Sequence, residues 1–438
     1  MSVLARLVRD GVRVGGSVEV TAEALRATGP RRELASSRVA LVLRDPVDVV
    51  RAVCALDGQV PAMLILSGAT GAEAVSTLMR QAGCEALLTD REDLLARPGA
   101  RRLEEALTPG RQAGAVATAW LMTTSGTTGL PKIVPHDLAS LARTVKRRPA
   151  PGGAVWGLLY DPSRFAGMQV VLQALIGGDR LVVADPRLPF GEQVATLAAA
   201  GVTHLSMTPT LWRRLLMAPG RDALPLRQVT LGGEVADQPL LSALAAAYPR
   251  ARISHIYAST EAGVGFSVTD GLAGFPEGYL DRAPDGVRLR LIDGMLWLKA
   301  PGAARGGPNL DMDEDGFVRT GDRLEVAAGR ARFLGRDSGL INVGGAKVHP
   351  ERVEAVLTAV PGVVMAKVTG RRSPMAGALV AAEVQLAPGL DPALARRTIL
   401  DACRAHLERE AVPAILRFVD GFETNAAGKL VRTAQVEA

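Results

Sequence analysis

The sequence has few cysteines and no long apolar run. Cys54, Cys84 and Cys403 are the three cysteines among 438 residues, and they lie far apart. An odd number of scattered cysteines argues against a disulfide framework and against paired metal ligands. No apolar run approaches the roughly 18 residues that span a bilayer, and the first residues lack the long apolar stretch of a signal peptide. We therefore expect a cytoplasmic protein that does not enter a membrane.

A strong excess of one charge is also missing. Lys and Arg number 51 and Asp and Glu number 45, which gives a net charge of +6. The longest basic cluster is Lys146, Arg147 and Arg148, whereas nucleic-acid binders concentrate basic residues on one face. We expect no nucleic-acid partner, although a mildly basic protein suits an anionic ligand such as ATP.

The first 270 residues alternate between strand-like and helical patterns. A helix is predicted over 46–56, with Asp45 as its N-cap, and a second helix follows Asp237. This alternation predicts an α/β fold, a large N-terminal domain of parallel or mixed sheets with flanking helices. The predicted strands cover 39–43, 62–66, 84–89, 180–184, 204–208 and 228–231.

The pattern changes after Gly271. Apolar residues alternate with arginines over 287–291, and the Asp293-Gly294 pair predicts a hairpin turn into 295–298. We interpret this region as a small β-rich layer that closes the large domain.

A second change falls near Gly335. The following residues predict a small, mobile α+β domain with the order αββαβ. We place the large domain at 1–334, a hinge at 335–339 and the small domain at 340–438. Its predicted elements are a helix from 349, strands over 363–369 and 379–385, a helix over 391–410 and a strand over 414–419.

The most informative stretch is a polar loop that follows a predicted strand at 120–122. Backbone amides freed by glycine, together with hydroxyls, form a donor-lined site for phosphate oxygens. The loop is not a Walker motif, because Lys132 follows Pro131 and precedes Ile133. The candidate phosphate-binding residues are Thr123, Thr124, Ser125, Gly126, Thr127, Thr128, Gly129 and Lys132.

This loop resembles the signature loop of the AMP-forming adenylating enzymes, the superfamily of acyl-CoA synthetases, nonribosomal-peptide adenylation domains and firefly luciferases. Further stretches similar to the family's motifs follow in the family's order, up to Asn425-Ala426-Ala427-Gly428-Lys429. The resemblance therefore covers most of the chain.

The resemblance implies a role for each matching residue. Gly232, Gly233 and Glu234 would form the adenine-contacting turn, and Tyr257 would stack on adenine. Asp322 and Arg336 would contact the ribose. The catalytic residues would be Lys429, Thr260 and Glu261, with Glu261 also holding Mg²⁺.

The same resemblance places an acid pocket and a thiol channel. Asp161, Arg164, Phe165 and Ala258 would line the pocket, where Ala258 replaces the family's usual glycine. Asp161 is open to two interpretations, a contact to a substrate ammonium or a turn residue. Gly344, Gly345 and Ala346 would line the approach of the thiol.

The resemblance implies the activation of a small carboxylic acid by ATP and Mg²⁺ to an acyl-adenylate, followed by transfer to a thiol. The acceptor is CoA or, as an alternative, the phosphopantetheine of an acyl carrier protein. CoA would need a basic contact for its 3′-phosphate, such as Arg371 with Arg372 or the 146–148 cluster. A non-catalytic protein of the same fold would have no need of Lys429, Glu261 and Asp322 together.

The five histidines show no ligand spacing, so we interpret them as structural, although His136 follows the loop closely in the sequence. At the predicted hinge, Ser338 stands where the family usually has Asp or Lys, with Asp337 beside it.

Overall fold

A computed structural model gives the fold. It describes residues 4–15, 19–110, 116–124, 130–147, 152–301, 311–373, 377–425 and 428–431.

The elements are numbered in chain order. Strands β1–β26 are Arg13–Gly15, Glu19–Thr21, Thr28–Pro30, Arg38–Leu43, Ala62–Ser67, Ala86–Thr89, Ala100–Arg101, Leu107–Pro109, Ala119–Thr123, Ile133–His136, Val155–Leu158, Arg180–Val183, His204–Met207, Gln228–Gly232, Arg252–Ser259, Gly263–Val268, Phe275–Pro276, Arg288–Ile292, Met295–Lys299, Val318–Ala327, Arg330–Arg336, Ile341–Val343, Ala346–Val348, Val363–Ser373, Gly377–Leu386 and Ile415–Phe418. Helices α1–α13 are Leu4–Leu7, Ala22–Ala27, Pro46–Leu56, Ala72–Ala82, Glu92–Leu95, Leu103–Ala106, Leu138–Ala142, Phe165–Gly177, Phe190–Ala199, Pro209–Met217, Gln238–Ala247, Pro350–Ala359 and Pro392–His406.

Two mixed sheets build the large domain. A six-stranded sheet has the order β10-β9-β5-β4-β6-β7, and an eight-stranded sheet has the order β16-β15-β14-β13-β11-β12-β1-β2. Their inner strands are parallel, and β10, β16 and β2 are antiparallel edges. One continuous core joins both sheets through the buried side chains of α3 and α8. The predicted α/β fold is therefore confirmed.

Capping residues set the helix starts that the sequence predicts. The side chain of Asp45 accepts a hydrogen bond from the amide of Val47, and α3 runs over the predicted residues 46–56. Asp237 accepts from the amide of Leu240 at the start of α11. Each cap satisfies an amide that has no partner within its helix.

The β-rich layer is a five-stranded antiparallel sheet in the order β17-β21-β20-β19-β18. Asp293 and Gly294 both have positive φ, 51° and 76°, as a two-residue hairpin turn requires. The predicted hairpin is therefore confirmed.

The small domain has its own core, formed by α12, α13 and a sheet in the order β23-β22-β25-β24, with β26 parallel to β25. One sequence-based prediction is wrong here, and one element is missing from the predicted order. The helix predicted to reach residue 410 ends at His406, because Leu407 is already extended with φ −125° and ψ 152°. The β22–β23 hairpin was not predicted at all. Between the two domains, β21 ends at Arg336 and a 3₁₀ turn covers Asp337–Gly339. A single structure shows no rotation about this segment, and the hinge at 335–339 stays a prediction.

The helices are short relative to a bilayer. Within the ranges given above, none is long and apolar enough to cross a membrane.

Candidate active site

The carboxyl ends of neighbouring parallel strands bring three motifs together. β13, β14 and β15 lie side by side, and they lead into Thr208, the Gly232–Glu234 turn and the Thr260–Glu261 motif. Ligands of open α/β sheets bind at such strand ends. The topology therefore places the candidate site at this edge.

The phosphate loop connects two paired strands. β9 ends at Thr123 and β10 begins at Ile133, directly opposite. The amide of Thr124 donates to the carbonyl of Lys132 at 3.0 Å, and the amide of Lys132 donates to Thr124 Oγ1 at 3.3 Å. These bonds close the base of the loop. Its central residues, Ser125, Gly126, Thr127, Thr128 and Gly129, lie outside the described residues.

Lys429 reaches this edge from the small domain. A tight turn holds its backbone, because its amide donates to Asn425 Oδ1 at 3.1 Å and its carbonyl accepts from the amide of Asn425 at 2.9 Å. The side chain runs across Gly233, where a Cβ atom would lie 3.2 Å from Lys429 Cε and 3.8 Å from Nζ. Gly233 also has φ +82°. The backbone conformation therefore favours glycine at this position, and any Cβ atom would also press on the end of the Lys429 side chain.

The ammonium of Lys429 lies among charges of both signs. Burial lowers its pKa, and the charge of Arg336 acts in the same direction. The carboxylates of Glu234, Glu261 and Asp322 oppose this shift. The structure thus brings together five residues that the sequence assigned to the site.

Glu234 is engaged with backbone amides on both sides. Its Oε2 accepts from the amide of Thr210 at 3.0 Å, and its Oε1 accepts from the amide of Leu430 at 2.9 Å. Thr208 Oγ1 donates to the carbonyl of Gly428 nearby. The sequence did not predict these contacts.

Asp322 is the centre of a second network. Its Oδ2 accepts from the hydroxyl of Tyr257 at 2.5 Å, and its Oδ1 accepts from Arg336 Nε at 3.0 Å. Asp322 and Arg336 are paired positions on β20 and β21. Burial alone would lower the pKa of Arg336, but the charge of Asp322 raises it. The two residues predicted to contact ribose are therefore neighbours.

Tyr257 belongs to an aromatic cluster. Its ring is nearly parallel to the rings of Phe266 and Phe333, with centroid distances of 5.4 Å and 5.2 Å. Burial and the adjacent Asp322 carboxylate raise the pKa of the phenol. Its contact with adenine stays a prediction.

His136 joins the site, although the sequence analysis treated it as structural. Its Nε2 donates to the carbonyl of Thr260 at 2.8 Å, and its ring lies 5.6 Å from the ring of Phe165. Burial lowers its pKa, which the Thr260 carbonyl, Asp137 and Glu261 partly oppose. Its position on β10, directly after the loop, was the signal that could have found it.

Arg164 and Asp161 lie at the start of α8, beside the phosphate loop. Arg164 Nη1 donates to Thr123 Oγ1 at 3.3 Å. Asp161 Oδ1 accepts from the amide of Ser163 at 2.9 Å, and the Asp161 carbonyl accepts from the amide of Arg164 at 3.0 Å. The turn packs so closely on Gly167 that a Cβ atom there would meet the Asp161 carbonyl. These contacts favour the turn interpretation of Asp161.

Ala258 completes the predicted pocket. It is half-buried next to the register shift between β15 and β16 and packs against the main core.

The predicted thiol residues lie elsewhere. Gly344 and Gly345 form the turn of the β22–β23 hairpin, with φ +57° and +95°, and Ala346 opens β23. Both glycines are exposed, and a Cβ atom on either would meet nothing within 4 Å. Lys429 therefore does not lie within 4 Å of a Cβ atom placed on either glycine.

Glu261 offers a carboxylate for Mg²⁺. In the part of the chain that the structure describes, no three His, Cys, Asp or Glu side chains form a metal cluster. Mg²⁺ is usually held by one or two carboxylates together with substrate phosphates, so a single glutamate fits this mode. Glu261 lies within electrostatic reach of Lys429 and Arg336. Its assignment to the metal stays a prediction.

Comparison with known proteins identifies the family of the chain. Residues 17–303 match the profile of the AMP-binding enzyme family, and residues 352–429 match that of the AMP-binding enzyme C-terminal domain. The chain belongs to the AMP-binding enzyme family. The profile of the C-terminal domain ends at Lys429.

The chain resembles both a peptide synthetase and a CoA ligase. It is 32% identical over 360 residues to the probable nonribosomal peptide synthetase CymA of Salinispora arenicola, a match that covers 74% of the chain and 4% of CymA. It is 30% identical over 278 residues to the 2-succinylbenzoate–CoA ligase of Salmonella typhimurium, covering 57% of the chain and 56% of the ligase. The chain thus spans only part of either relative.

Solved AMP-binding enzymes share the fold. The anthranilate CoA ligase AuaEII, in complex with anthranoyl-AMP, superimposes with a TM-score of 0.81 at 17% identity, over 98% of this chain and 95% of AuaEII. ATP-bound MatB of Rhodopseudomonas palustris gives a TM-score of 0.79 at 21% identity, over 98% of this chain and 96% of MatB. At these identities the likeness shows the fold alone.

Proposed function

We propose that the chain uses ATP to convert a carboxylic acid into an acyl-adenylate, with release of pyrophosphate, and then transfers the acyl group to CoA. The observation that carries this proposal is the position of Lys429. Its ammonium lies at the carboxyl edge of the eight-stranded sheet, among Glu234, Glu261, Asp322 and Arg336.

The chemistry requires such an arrangement. A carboxylate must attack the α-phosphate of ATP, so two anions have to approach each other. Lys429 supplies a positive charge that is already in place, and fixed charges of this kind cost no reorganisation during the reaction. Mg²⁺, held by Glu261 and the phosphates, would neutralise further charge. The Thr123–Lys132 loop would hold the phosphates that leave.

The acid pocket suits a substrate without an amino group. Asp161 Oδ1 accepts from the amide of Ser163, as a turn residue does, which supports the interpretation without a substrate ammonium. Phe165, which is buried, and the His136 ring beside it offer flat apolar surfaces. These surfaces support an aryl or short acyl acid. The 2-succinylbenzoate–CoA ligase that the chain resembles is named for an aryl acid without an amino group.

CoA is supported by the placement of a basic pair. Arg371 and Arg372 lie on β24, where Gly370 packs against Ile341 of β22, at the start of the Gly344–Gly345 hairpin. The last residue of β24, Ser373, pairs with Gly377, which also pairs with Val343. The two arginines and the predicted thiol residues therefore share one sheet of the small domain, which suits a thiol that carries phosphates.

A carrier protein remains a second candidate acceptor. The match to CymA, a probable nonribosomal peptide synthetase, covers more of the chain than the match to the CoA ligase does. We assign CoA the first place because the basic pair lies beside the hairpin.

The deciding experiment is a panel of carboxylic acids tested for acid-dependent pyrophosphate release, with and without CoA. Aryl and short acyl acids should be tested beside their α-amino counterparts, with pantetheine as a thiol that lacks the 3′-phosphate. We expect release with acids that have no amino group, and faster turnover with CoA than with pantetheine. Equal rates with CoA and pantetheine would favour the carrier-protein alternative. No release with any acid would refute the proposal.

A further inference from the structure

Glu234 joins the two domains. One carboxylate oxygen accepts from the amide of Thr210, in the first turn of α10 in the large domain, and the other accepts from the amide of Leu430 in the small domain. Leu430 directly follows Lys429. The carboxylate therefore fixes the backbone next to the lysine relative to the large domain.

Further contacts surround this bridge. Thr208 Oγ1 donates to the carbonyl of Gly428, and a Cβ atom at Gly428 would lie 2.5 Å from Leu211 Cδ1. The hydroxyl of Thr358, on α12 of the small domain, lies 3.3 Å from Asp237 Oδ2 and 2.8 Å from the carbonyl of Glu354, and it shares its one proton between them. We call the large-domain side of these contacts the docking face, formed by Thr208, Thr210, Leu211, Gly233, Glu234 and Asp237.

The charge of Glu234 also acts on Lys429. Burial is the largest influence on the lysine and lowers its pKa, and Glu234 is the charge that opposes burial most strongly. Glu234 therefore favours the charged ammonium as well as the position of the loop. A hydrogen bond from an amide to a carboxylate is about twice as strong as one between neutral groups.

We propose that Glu234 is a positioning residue for the adenylation step: it fastens the Lys429 loop to the docking face and has no part in thiol transfer. The proposal rests on the adenylation reaction proposed above. The competing interpretation, taken from the family resemblance, is that Glu234 belongs to an adenine contact. A carboxylate can accept about four hydrogen bonds, so the two amides alone do not decide between the interpretations.

The test is the substitution Glu234→Gln. A glutamine amide has a single oxygen, so it can replace one of the two amide contacts but not both, and it removes the charge. We expect acid-dependent pyrophosphate exchange to fall about 10- to 100-fold, the loss that follows from one missing charged hydrogen bond. Transfer to CoA from supplied acyl-adenylate should stay within about twofold of wild type, because one contact made only for adenylation is lost.

Two further measurements do not depend on turnover. Hydrogen exchange of the backbone amides at 428–431 should become faster in E234Q, because Leu430 loses its acceptor. ATP binding, measured by calorimetry without acid, should be unchanged. Faster exchange with unchanged ATP binding supports the positioning role.

The matched control is Glu354→Gln. Glu354 also accepts from a backbone amide, that of Val368 at 2.8 Å, but both residues lie within the small domain. This variant should leave both half-reactions and the hydrogen exchange at 428–431 unchanged.

A second variant is needed if E234Q does not fold. Thr358→Val removes the contact between the small domain and Asp237, the second carboxylate of the docking face. It should slow adenylation about two- to threefold, again without slowing transfer.

Specific results would overturn the proposal. Equal loss of both half-reactions, or weaker ATP binding with unchanged exchange at 428–431, would assign Glu234 to nucleotide binding instead. Failure of the proposed function can be told apart from failure of this inference. If the proposed function is wrong, wild type shows no pyrophosphate exchange with any acid, but the effect of E234Q on hydrogen exchange at 428–431 can still be measured.

Discussion

Two of the chain's Gly-Gly pairs, one predicted for the adenine and one for the thiol, lie in opposite surroundings. Gly232 and Gly233 end β14 in the large domain, and Lys429 lies against Gly233. Gly344 and Gly345 form an exposed hairpin turn in the small domain, with no neighbour within 4 Å of a Cβ on either. The first pair is occupied by the predicted catalytic lysine, and the second pair, predicted for the thiol, is open. The Gly232–Gly233 pair therefore contacts Lys429 in this structure, and the Gly344–Gly345 pair does not.

The largest effect should come from Lys429→Ala. Removing the charge at the occupied glycine pair should lower adenylate formation about 100-fold or more, the size of effect seen when one transition-state contact is lost. Thiol transfer from supplied adenylate should be much less affected. The two half-reactions, measured separately, provide the test, and equal loss in a folded variant would contradict the role of Lys429.

The next effect compares the two glycine pairs directly. Gly233→Ala would press on Lys429 Cε and strain a residue with φ +82°, so adenylation should fall about tenfold, since small displacements of reacting groups are costly. Gly345→Ala introduces similar backbone strain but meets no neighbour in this arrangement. It should leave adenylation unchanged and slow thiol transfer. The opposite pattern would show that the assignments of the two pairs are reversed.

A smaller effect should come from the basic residues near the hairpin. The double variant R371A/R372A should raise the KM for CoA about three- to fivefold, since single exposed charge contacts contribute less than about 1 kcal/mol each. The KM for pantetheine should not change. K146A/R147A is the matched variant in the large domain. If it raises the KM for CoA and R371A/R372A does not, the CoA phosphate binds beside the other basic cluster.

The smallest effect concerns pH and His136. Burial holds the pKa of His136 below its usual value, so the folded state keeps the ring neutral while the unfolded chain takes up a proton first. Its contribution to stability is therefore full above about pH 6.5, the usual value, and declines as the pH falls through the folded-state pKa. His136→Gln should weaken this acid-dependent decline, as measured by urea unfolding between pH 5 and 8.

His255 provides the control for that measurement. Burial lowers its pKa as well, and its Nε2 donates to the carbonyl of Leu272, away from the site. His255→Gln should flatten the stability profile in the same way without changing adenylation, whereas His136→Gln should also change adenylation. An unchanged acid limb in both variants would contradict the pKa directions.

The elements with local signals were predictable from the sequence. Asp45 and Pro46 mark the start of α3, and Asp293-Gly294 marks the β18–β19 hairpin; both signals act between residues that are close in the chain. The motif residues Lys429, Glu261 and Asp322 were assigned through the family resemblance, and their roles stay predictions.

Contacts between distant residues were not predictable in this way. Glu234 and Leu430 are 196 residues apart, and no local pattern indicates that one accepts a hydrogen bond from the other. The hydrogen bond from His136 to the carbonyl of Thr260 also joins residues that are far apart, 124 positions, and it was not predictable for the same reason. The β22–β23 hairpin is a different case, because its Gly-Gly pair is a recognised turn signal. Its two strands have three residues each, which is too short for the alternation of apolar and polar residues that predicts a strand.

The ion pairs of Asp337 would affect how fast the small domain rotates between adenylation and thiol transfer. Asp337 lies in the predicted hinge and accepts from Arg323 Nε at 2.5 Å and from Arg319 Nη2 at 3.0 Å, both on β20. The segment is therefore not a free joint, because any rotation that moves Asp337 away from β20 has to break both pairs. All three side chains are partly exposed, so dissolved salt screens the pairs. Higher ionic strength should then shorten the delay between adenylation and thiol transfer, even though it weakens the binding of ATP and CoA.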